Sequence, residues 1–481
     1  MLRLIIRQSN WGIMGAIFGF AIGFFIKIYL IGIVTLEEWG KYAAAQTFSS
    51  ISETILSIGI PYIIIRFFPS FIENNKDKAS RIANLFIRYA LIIGSLFLGV
   101  IYFSADYIND ILYGEIDGFS WILFFMCIHI PISLLFGIVI SLYRSVLKIK
   151  EIVLYGTVVA VSLRAILTFI VFQYTSNIIH FILIEVLTQV LILFILLYLF
   201  NKNEFTLFIK SDCRELTDDK EIINYGKKMF LTSIIAFISG NVLSFIISIK
   251  LPSADIGAYN ILLTLTGLTT FLLINLNKVF APAISKLYAG NNLIELNELY
   301  KKTTFFINIF TIPLIVILTI FSDEILSLYT SEMLNYKKYL FFMLAGGLLS
   351  LAAGSSGTLM IMAGLEKQNL YIQFIRSILL IILSLIFIPI FGLYSAVILY
   401  VSFMFFVNLS QLIFIYKNIK ISPFSKELIF LLIITFLVMY VAISQDYEFN
   451  LYHYIFLPFC VYAGYFLLMF IPLKRIIKDL L

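Results

Sequence analysis

The sequence predicts an all-α polytopic membrane protein of about fourteen transmembrane helices, built from two similar halves. Its 481 residues are 61% hydrophobic and only 13% charged, and the mean hydropathy is +1.01. Apolar runs long enough to cross roughly 30 Å of hydrocarbon recur from end to end. A sequence pattern that occurs twice indicates the two halves.

The repeated pattern begins with a short polar turn that contains glycine and tyrosine. Residues Glu38–Tyr42 (EWGKY) align with residues Asp255–Tyr259 (DIGAY). Each copy continues into a long apolar run, which ends in a basic residue shortly before a proline. That basic residue is Arg66 in the first copy and Lys278 in the second. Two copies of one membrane hairpin imply two similar halves.

Twelve predicted spans form two sets of six. The first set is Trp11–Val34, Lys41–Phe68, Arg81–Ala105, Phe119–Tyr143, Glu151–Gln173 and Ser176–Phe200. The second set is Lys227–Ile249, Ile256–Ala281, Thr303–Phe321, Lys338–Ala363, Gln368–Ile390 and Phe391–Tyr416. Two further spans are Glu427–Ser444 and Leu451–Pro472. The predicted organisation is therefore an N-terminal bundle (1–200), a cytoplasmic linker (201–226), a C-terminal bundle (227–416) and two additional helices (417–481).

Local breaks are predicted at prolines and glycines within the spans. Pro61, Pro131 and Pro313 predict interrupted helices, and the glycines around Gly354 predict a loosened tenth span. The polar segment after Gly290 predicts a short surface helix.

The basic residues predict the orientation in the membrane. Of the 34 Lys and Arg residues, 24 fall on one side of the predicted spans. Four fall on the other side, namely Lys41, Lys250, Lys337 and Lys338. Basic residues concentrate in cytoplasmic loops, so both termini are predicted to be cytoplasmic. The expected location is the plasma (inner) membrane.

Eight ionisable residues lie within the predicted spans or at their edges. They are the basic residues Lys27, Arg66, Arg88, Arg164, Lys278 and Arg376 and the acids Glu53 and Glu185. A charge at the bilayer centre costs about 2.5–3.5 kcal/mol even on insertion scales, so such residues usually face a bundle interior or water. These residues are the candidate functional groups.

The interpretation of the shallower cations depends on how far each lies from the cytoplasmic end of its predicted span. Arg66 and Lys278 lie near the cytoplasmic boundary, where they either snorkel to the interface or face a cavity. Arg88 and Arg376 lie about two turns deeper, and both interpretations stay open for them. If they face a cavity, they are candidates for binding an anionic cargo.

The remaining four, Lys27, Arg164, Glu53 and Glu185, lie too deep to snorkel. They either form ion pairs that lock helices together or line a polar cavity with excess positive charge. We favour a pair between Glu53 and Arg164 and leave open whether Glu185 pairs or binds a coupling ion, H⁺ or Na⁺. His129 is expected to be hydrogen-bonded to a neighbour, with a proton relay as the alternative.

Several function classes are disfavoured by the sequence. The formal charge of +6 resides in the loops, which argues against nucleic acid as a partner. No GxxxxGK[ST] loop, HExxH motif or Cys/His cluster occurs, so neither ATP hydrolysis nor zinc chemistry is encoded. No loop is long enough to form a soluble catalytic domain. We therefore expect a non-enzymatic protein without a cofactor.

The motifs resemble those of a known family. Besides EWGKY and DIGAY, they are PAISKLY (Pro282–Tyr288), LNELY (Leu296–Tyr300), GTLMIMAGLEKQNLY (Gly357–Tyr371) and LYRSVLKIKE (Leu142–Glu151). They are similar to the polysaccharide-biosynthesis flippases of the multidrug/oligosaccharidyl-lipid/polysaccharide (MOP) exporter superfamily. The resemblance covers essentially the whole chain, including the two extra C-terminal helices.

This resemblance implies both a fold and a function. The expected fold is two six-helix bundles around a central cavity. The expected function is to carry an undecaprenyl-pyrophosphate-linked oligosaccharide repeat unit to the outer leaflet by alternating access through a cationic cavity. Partners would be the lipid-linked oligosaccharide, membrane lipids and candidate polysaccharide polymerases and glycosyltransferases. An ion-coupled drug or metabolite antiporter of the same fold and a peptidoglycan-precursor flippase stay open as alternatives.

Overall fold

A computed structural model of the chain describes residues 2–207, 220–444, 461 and 463–465. Side chains are described for these residues except 2–10, 13, 220, 278, 279 and 441–444. The described part of the chain is helical and contains no β-strand. The predicted fold class, an all-α polytopic membrane protein, is confirmed.

Contacts divide the chain into two compact units, Met1–Gly257 and Ala258–Leu481. The first unit contains α1 (Leu2–Ile31), α2 (Leu36–Leu56), α3 (Ile60–Asn74), α4 (Lys76–Ile108), α5 (Phe119–Ser145), α6 (Ile149–Val153), α7 (Ala160–Val171), α8 (Ile178–Asn203) and α9 (Lys220–Lys250). Two π-helical turns extend these helices: Asn109–Tyr113 continues α4, and Leu154–Val159 joins α6 to α7. The predicted boundaries of the two bundles stay a prediction.

Helix α5 is the centre of the first unit. It packs against α2, α3, α4 and α8. Its side chains Leu123, Cys127 and Ile130 are completely buried. Tyr143 Oη at the end of α5 donates a hydrogen bond to the carbonyl of Leu196 in α8, at 2.9 Å. This arrangement holds the helices that carry the candidate residues around one apolar core.

The second predicted span is bent rather than straight. Helices α2 and α3 meet at 44°, and the break contains two left-handed residues, Ile58 (φ 46°) and Gly59 (φ 72°). Pro61 is the second residue of α3, and proline is well suited to the first turn of a helix. Tyr89 Oη donates to the carbonyl of Leu56 at 3.0 Å, which satisfies a backbone group at the break. The interruption predicted at Pro61 is confirmed.

The second unit contains the remaining helices. They are α10 (Ser253–Ala289, whose first turn belongs to the first unit), α11 (Leu293–Ile320), α12 (Ser322–Ser327), α13 (Lys337–Ala353), α14 (Ser356–Met362), α15 (Glu366–Ile419) and α16 (Lys426–Ser444). Helix α11 is buried along most of its length and packs against α13 and α16. It therefore forms the core of this unit.

The tenth predicted span breaks at a glycine. Gly354 (φ 60°) separates α13 from α14. Two polar side chains of α11 bind carbonyls near this break: Asn308 Nδ2 donates to Leu351 at 2.8 Å, and Tyr300 Oη donates to Ala353 at 2.7 Å. The loosened tenth span is therefore confirmed, and its free backbone groups have partners.

Thirteen of the fourteen predicted spans have a helical counterpart in the described residues. Ten described helices are long and apolar enough to cross a membrane, and the bent pair α2–α3 makes eleven. Helix α15 counts twice, because Gly392 (φ 60°, ψ −146°) breaks it close to the boundary between the eleventh and twelfth predicted spans. Helix α16 matches the thirteenth span, whereas most of the fourteenth lies outside the described residues.

Three local predictions are wrong. Helices α5 and α11 continue through Pro131 and Pro313, so neither proline interrupts its helix. Neighbouring helices in a packed bundle compensate the lost hydrogen bond. The segment after Gly290 is the first part of α11 rather than a separate surface helix, although Asn292 does cap it by accepting from the Glu295 amide at 3.2 Å.

The repeated glycines bring the first turns of α2 and α10 into backbone contact. A Cβ added at Gly40 would lie 1.6 Å from the carbonyl oxygen of Ser253. A Cβ added at Gly257 would lie 2.4 Å from the carbonyl oxygen of Leu36. Only glycine permits this approach, which explains why both copies of the motif contain it.

We predict that Gly40→Ala destabilises the protein by about 1–3 kcal/mol, because the added methyl group forces the two backbones apart. Gly99→Ala in α4 is the matched control, since a Cβ there meets no atom within 4 Å. Thermal unfolding of the purified protein in detergent measures both. Equal unfolding temperatures for the two variants would show that the contact is absent.

Candidate functional site

A polar cavity of about 260 Å³ lies within the first unit, between α2, α5, the α6–α7 span and α8. Its lining consists of Gln46, Ser49, Ser50, Glu53, Met126, His129, Phe136, Gly156, Ala160, Arg164, Glu185, Gln189 and Ile192. Three residues of the eight predicted from charge, Glu53, Arg164 and Glu185, are therefore brought together at one site.

An ion pair joins two helices across this cavity. Arg164 Nη1 in α7 lies 2.9 Å from Glu185 Oε1 in α8. Tyr42 Oη in α2 donates a hydrogen bond to the other carboxylate oxygen, Oε2, at 2.8 Å. Gln46 Nε2 donates in turn to Tyr42 Oη at 3.3 Å. Both oxygens of Glu185 are thus engaged, and the carboxylate has one fixed orientation.

Local backbone features set the directions of these side chains. The π-helical turn Leu154–Val159 precedes α7 and rotates Arg164 relative to a regular helix. Gly156 within that turn lines the cavity and leaves room for it. Helix α8 begins at the cap Asn177, whose side-chain oxygen accepts from the Ile179 amide at 2.9 Å. π-turns within helices are frequent at functional sites.

A second hydrogen-bonded group lies on the α5 side of the cavity. Ser133 Oγ lies 2.9 Å from His129 Nδ1, one turn earlier in α5. Gln189 Nε2 in α8 donates to the same hydroxyl at 3.2 Å. The expected hydrogen bond between His129 and a neighbour is confirmed.

Glu53 lies in the same cavity but is not in the ion pair. Within the described residues, its carboxylate has no basic partner. The predicted pair between Glu53 and Arg164 is therefore wrong, and Glu185 is the partner. The reason is geometric: Glu53 and Glu185 lie at similar depths, but the guanidinium of Arg164 points toward α8. Glu53 instead precedes the bend of the second span by one turn.

The cavity of the first unit does not carry excess positive charge. Its described lining contains two carboxylates and one guanidinium. Its other polar groups, from serine, glutamine and histidine, are neutral donors and acceptors. The cationic cavity predicted from sequence is therefore not found at this location. A site with this lining suits a small cation, a proton or hydroxyl groups better than a phosphate.

Lys27 adjoins the site through two aromatic rings. Its Nζ lies 5.3 Å from the centroid of the Trp39 ring, a cation–π contact. The Trp39 ring stacks on Tyr42, with centroids 4.8 Å apart. Lys27 is thus positioned next to the tyrosine that orients Glu185, but it is not part of the cavity lining.

Two other predicted cations of the first unit lie away from the cavity. The side chain of Arg66 is 54% exposed. Its guanidinium carbon lies 4.4 Å from the centroid of the Tyr225 ring, and its Nη2 lies 4.0 Å from Glu221 Oε1. Arg88 is exposed, and no described residue forms an ion pair with it. Their positions fit the interfacial interpretation more closely than the cavity interpretation.

The second unit contains the last two predicted cations. Arg376 in α15 is half-buried and interacts electrostatically with Tyr259 and Tyr400. The side chain of Lys278 lies outside the described residues. The predicted role of these two residues in substrate binding stays a prediction.

Sequence and structure comparisons place the chain among known proteins. A family profile described as "Polysaccharide biosynthesis protein" matches residues 30–338, which is more than half of the chain. The chain belongs to this polysaccharide biosynthesis family. A search of curated protein sequences gave no match.

Solved structures of three transporters are similar to this member of the polysaccharide biosynthesis family. The lipid II flippase MurJ in an inward closed conformation superimposes with a TM-score of 0.71 at 17% identity, over 98% of this chain and 100% of that chain. A MOP superfamily transporter from Pyrococcus furiosus gives 0.61 at 14%, over 87% and 95%. An outward-facing multidrug resistance MATE transporter gives 0.60 at 14%, over 87% and 95%. The resemblance to the MOP superfamily is thereby confirmed for the fold.

The sequence repeat of this chain extends to the site. Tyr259 is the repeat counterpart of Tyr42, and Arg376 lies on the fifth span of its set, as Arg164 does. Tyr400 lies on the sixth span of its set, as Glu185 does. The first unit thus has a Tyr–Arg–Glu group, whereas the second has a Tyr–Arg–Tyr group. The carboxylate distinguishes the two halves.

Three further residues, Tyr42, Gln46 and Gln189, belong to the site, and the pattern of charged residues does not indicate them. The repeated motif could have indicated Tyr42, because the motif's tyrosine is present in both copies. It is buried in both copies. The two glutamines gave no signal, because a single amide in a membrane helix usually makes an ordinary interhelical hydrogen bond.

We predict that Tyr42→Phe lowers stability by about 1–2 kcal/mol, because Glu185 Oε2 loses a donor in a buried environment. Tyr29→Phe is the control, since Tyr29 Oη makes a long hydrogen bond of 3.4 Å to the Phe169 carbonyl at an exposed position. Thermal unfolding in detergent compares the two variants. An equal, small effect of both would contradict the role of Tyr42.

Proposed function

We propose that the protein is a flippase that moves a polyprenyl-pyrophosphate-linked oligosaccharide from the cytoplasmic leaflet to the outer leaflet of the plasma membrane. The observation that carries the proposal is the combination of family and fold. The chain belongs to a polysaccharide biosynthesis family and has the fold of MOP transporters. Among the steps of polysaccharide biosynthesis, the one that most directly requires a multi-pass membrane protein is the movement of a membrane-bound intermediate across the bilayer.

The physical difficulty of that step supports a transporter with polar groups inside the membrane. A pyrophosphate and several sugars cannot cross hydrocarbon unaided, because their hydration is lost. A protein that exposes a polar surface alternately to each side replaces that hydration while the polyprenyl tail stays in lipid. Both termini in the cytoplasm complete the proposed topology, with polysaccharide polymerases and glycosyltransferases as candidate partners.

Glu53 is the proposed site of ion coupling. It is the carboxylate of the cavity that lacks a basic partner within the described residues, and Ser49 and Ser50 line the same cavity. An intramembrane carboxylate without a cation is costly when ionised, so it favours binding of H⁺ or Na⁺. Glu185 is already neutralised by Arg164 at 2.9 Å, which leaves it a structural role. An ion gradient acting on Glu53 would drive the conformational cycle.

Binding of the pyrophosphate is proposed for the cations outside this cavity. The principal candidates are Lys27, Arg376 and Lys278, which are chosen for their positive charge within the predicted spans. A guanidinium binds phosphate oxygens through paired hydrogen bonds, which makes Arg376 the first choice. Arg66 and Arg88 would contribute to the positive potential at the cytoplasmic entrance.

An ion-coupled antiporter of the same fold is the second candidate function. The observation that favours it is the pair of carboxylates, Glu53 and Glu185, in the cavity of the first unit. Carboxylates in a binding lobe are expected of an exporter of organic cations. The family match to polysaccharide biosynthesis favours the flippase over this alternative and over a peptidoglycan-precursor flippase.

The experiment uses the purified protein in vesicles with a labelled polyprenyl-pyrophosphate oligosaccharide and an imposed proton or sodium gradient. We predict gradient-driven movement by the wild type and loss of gradient dependence in Glu53→Gln, with normal protein yield. Glu37→Gln is the matched control, because Glu37 is 61% exposed and pairs with Lys41 outside the cavity.

The outcomes separate the two parts of the proposal. If the wild type moves the oligosaccharide and Glu53→Gln keeps the gradient dependence, the coupling role of Glu53 is wrong. If the wild type moves an organic cation but no lipid-linked oligosaccharide, the antiporter is correct and the flippase is wrong.

A further inference from the structure

A second pocket of the first unit, of about 390 Å³, lies where the second span bends. It is separate from the charged cavity and shares no residue with it. Residues of the bend itself, of α3, of α4 and of α9 form its lining: Ile58, Ile60, Ile63, Leu85, Phe86, Tyr89, Ile222, Ile223, Gly226 and Lys227. Apart from Lys227, the lining is apolar or aromatic, so the pocket suits a hydrocarbon group.

The backbone beside this pocket has an unusual conformation, and close packing against α9 holds it in place. Ile58 has a left-handed conformation that is rare for a β-branched residue. The bend is held by the first turns of α9: a Cβ at Gly59 would lie 3.0 Å from the carbonyl oxygen of Gly226 and from the amide nitrogen of Phe230. Ile58 remains 43% exposed at the pocket. Strain of this kind persists where the surrounding structure enforces it, often at ligand sites.

Basic residues outnumber acidic ones around the pocket. Lys227 contributes to the wall, and Arg66 stacks on Tyr225, two residues before Lys227. Arg88 follows Leu85 of the lining by three residues, which places it on the same side of α4. Glu221, 4.0 Å from Arg66, is the acid that faces this group. Three cations and one acid at the predicted cytoplasmic end give the rim a net positive charge.

We propose that this pocket binds an anionic membrane phospholipid, with one acyl chain between α3, α4 and α9 and the phosphodiester at Lys227 and its basic neighbours. An apolar wall beside a positive rim is complementary to a molecule with a hydrocarbon chain and an anionic headgroup. The lipid comes from the cytoplasmic leaflet, where bulk phospholipid is always available. The pocket shares no lining residue with the cavity that contains the proposed coupling site Glu53.

Native mass spectrometry of the full-length protein, titrated with phosphatidylglycerol or phosphatidylcholine, tests the proposal. The wild type is expected to retain phosphatidylglycerol more tightly. Lys227→Gln is expected to weaken that binding about fivefold and to remove the preference, because one headgroup contact is lost. Lys228→Gln is the matched control, since the adjacent lysine is exposed and does not line the pocket.

A second variant tests the apolar part. Ile223→Trp fills the pocket and is expected to abolish binding of both lipids at this site. Ile92→Trp is its control, on an exposed position of α4 outside the pocket.

Three results would overturn the proposal. They are equal affinity of the wild type for the two lipids, equal effects of Lys227→Gln and Lys228→Gln, and unchanged binding in Ile223→Trp. Binding of a polyprenyl phosphate in place of phosphatidylglycerol would assign the pocket to a different occupant and would likewise refute it.

Discussion

The first unit depends on one interaction, the ion pair between Arg164 and Glu185. A buried charge without a partner is strongly unfavourable in the membrane, whereas a pair with further hydrogen bonds is tolerated. Here Arg164 Nη1 contacts one carboxylate oxygen at 2.9 Å, and Tyr42 donates to the other at 2.8 Å. Because the three residues belong to α7, α8 and α2, the relative rotation of these helices is fixed. Both members of the pair line the polar cavity.

Broken helices are the second constraint, and each break exposes backbone groups that need partners inside the membrane. At the break after Leu56, the Tyr89 hydroxyl donates a hydrogen bond to the Leu56 carbonyl. Near the break at Gly354, Asn308 and Tyr300 donate hydrogen bonds to backbone carbonyls of α13. These side chains show why single polar residues occur in otherwise apolar helices. These hydrogen bonds allow a span to be discontinuous inside the membrane, and a discontinuous span has a point at which it can bend. Glu53 lies one turn before such a bend, so an ionisable side chain lies close to a point at which the span can bend.

The sequence predicted the fold class and the positions of the spans, because both depend on the length of the apolar runs. It did not predict which acid faces Arg164. Depth follows from position along a helix, but the facing side depends on helix rotation, which here includes the π-turn Leu154–Val159. For the same reason the excess positive charge expected of the cavity was not found in the first unit. The breaks near Pro61 and at Gly354 were predictable, whereas the uninterrupted helices at Pro131 and Pro313 depend on their packing against neighbouring helices.

The most direct test of this account is a comparison of two double-mutant cycles, read as unfolding free energies of the purified protein. One cycle combines Arg164→Met with Glu185→Gln, and the other combines Arg164→Met with Glu53→Gln. We predict a coupling energy of about 2 kcal/mol or more for the first pair and less than about 0.5 kcal/mol for the second, because only Glu185 contacts the guanidinium. A large coupling energy with Glu53 and a negligible one with Glu185 would contradict the central interaction.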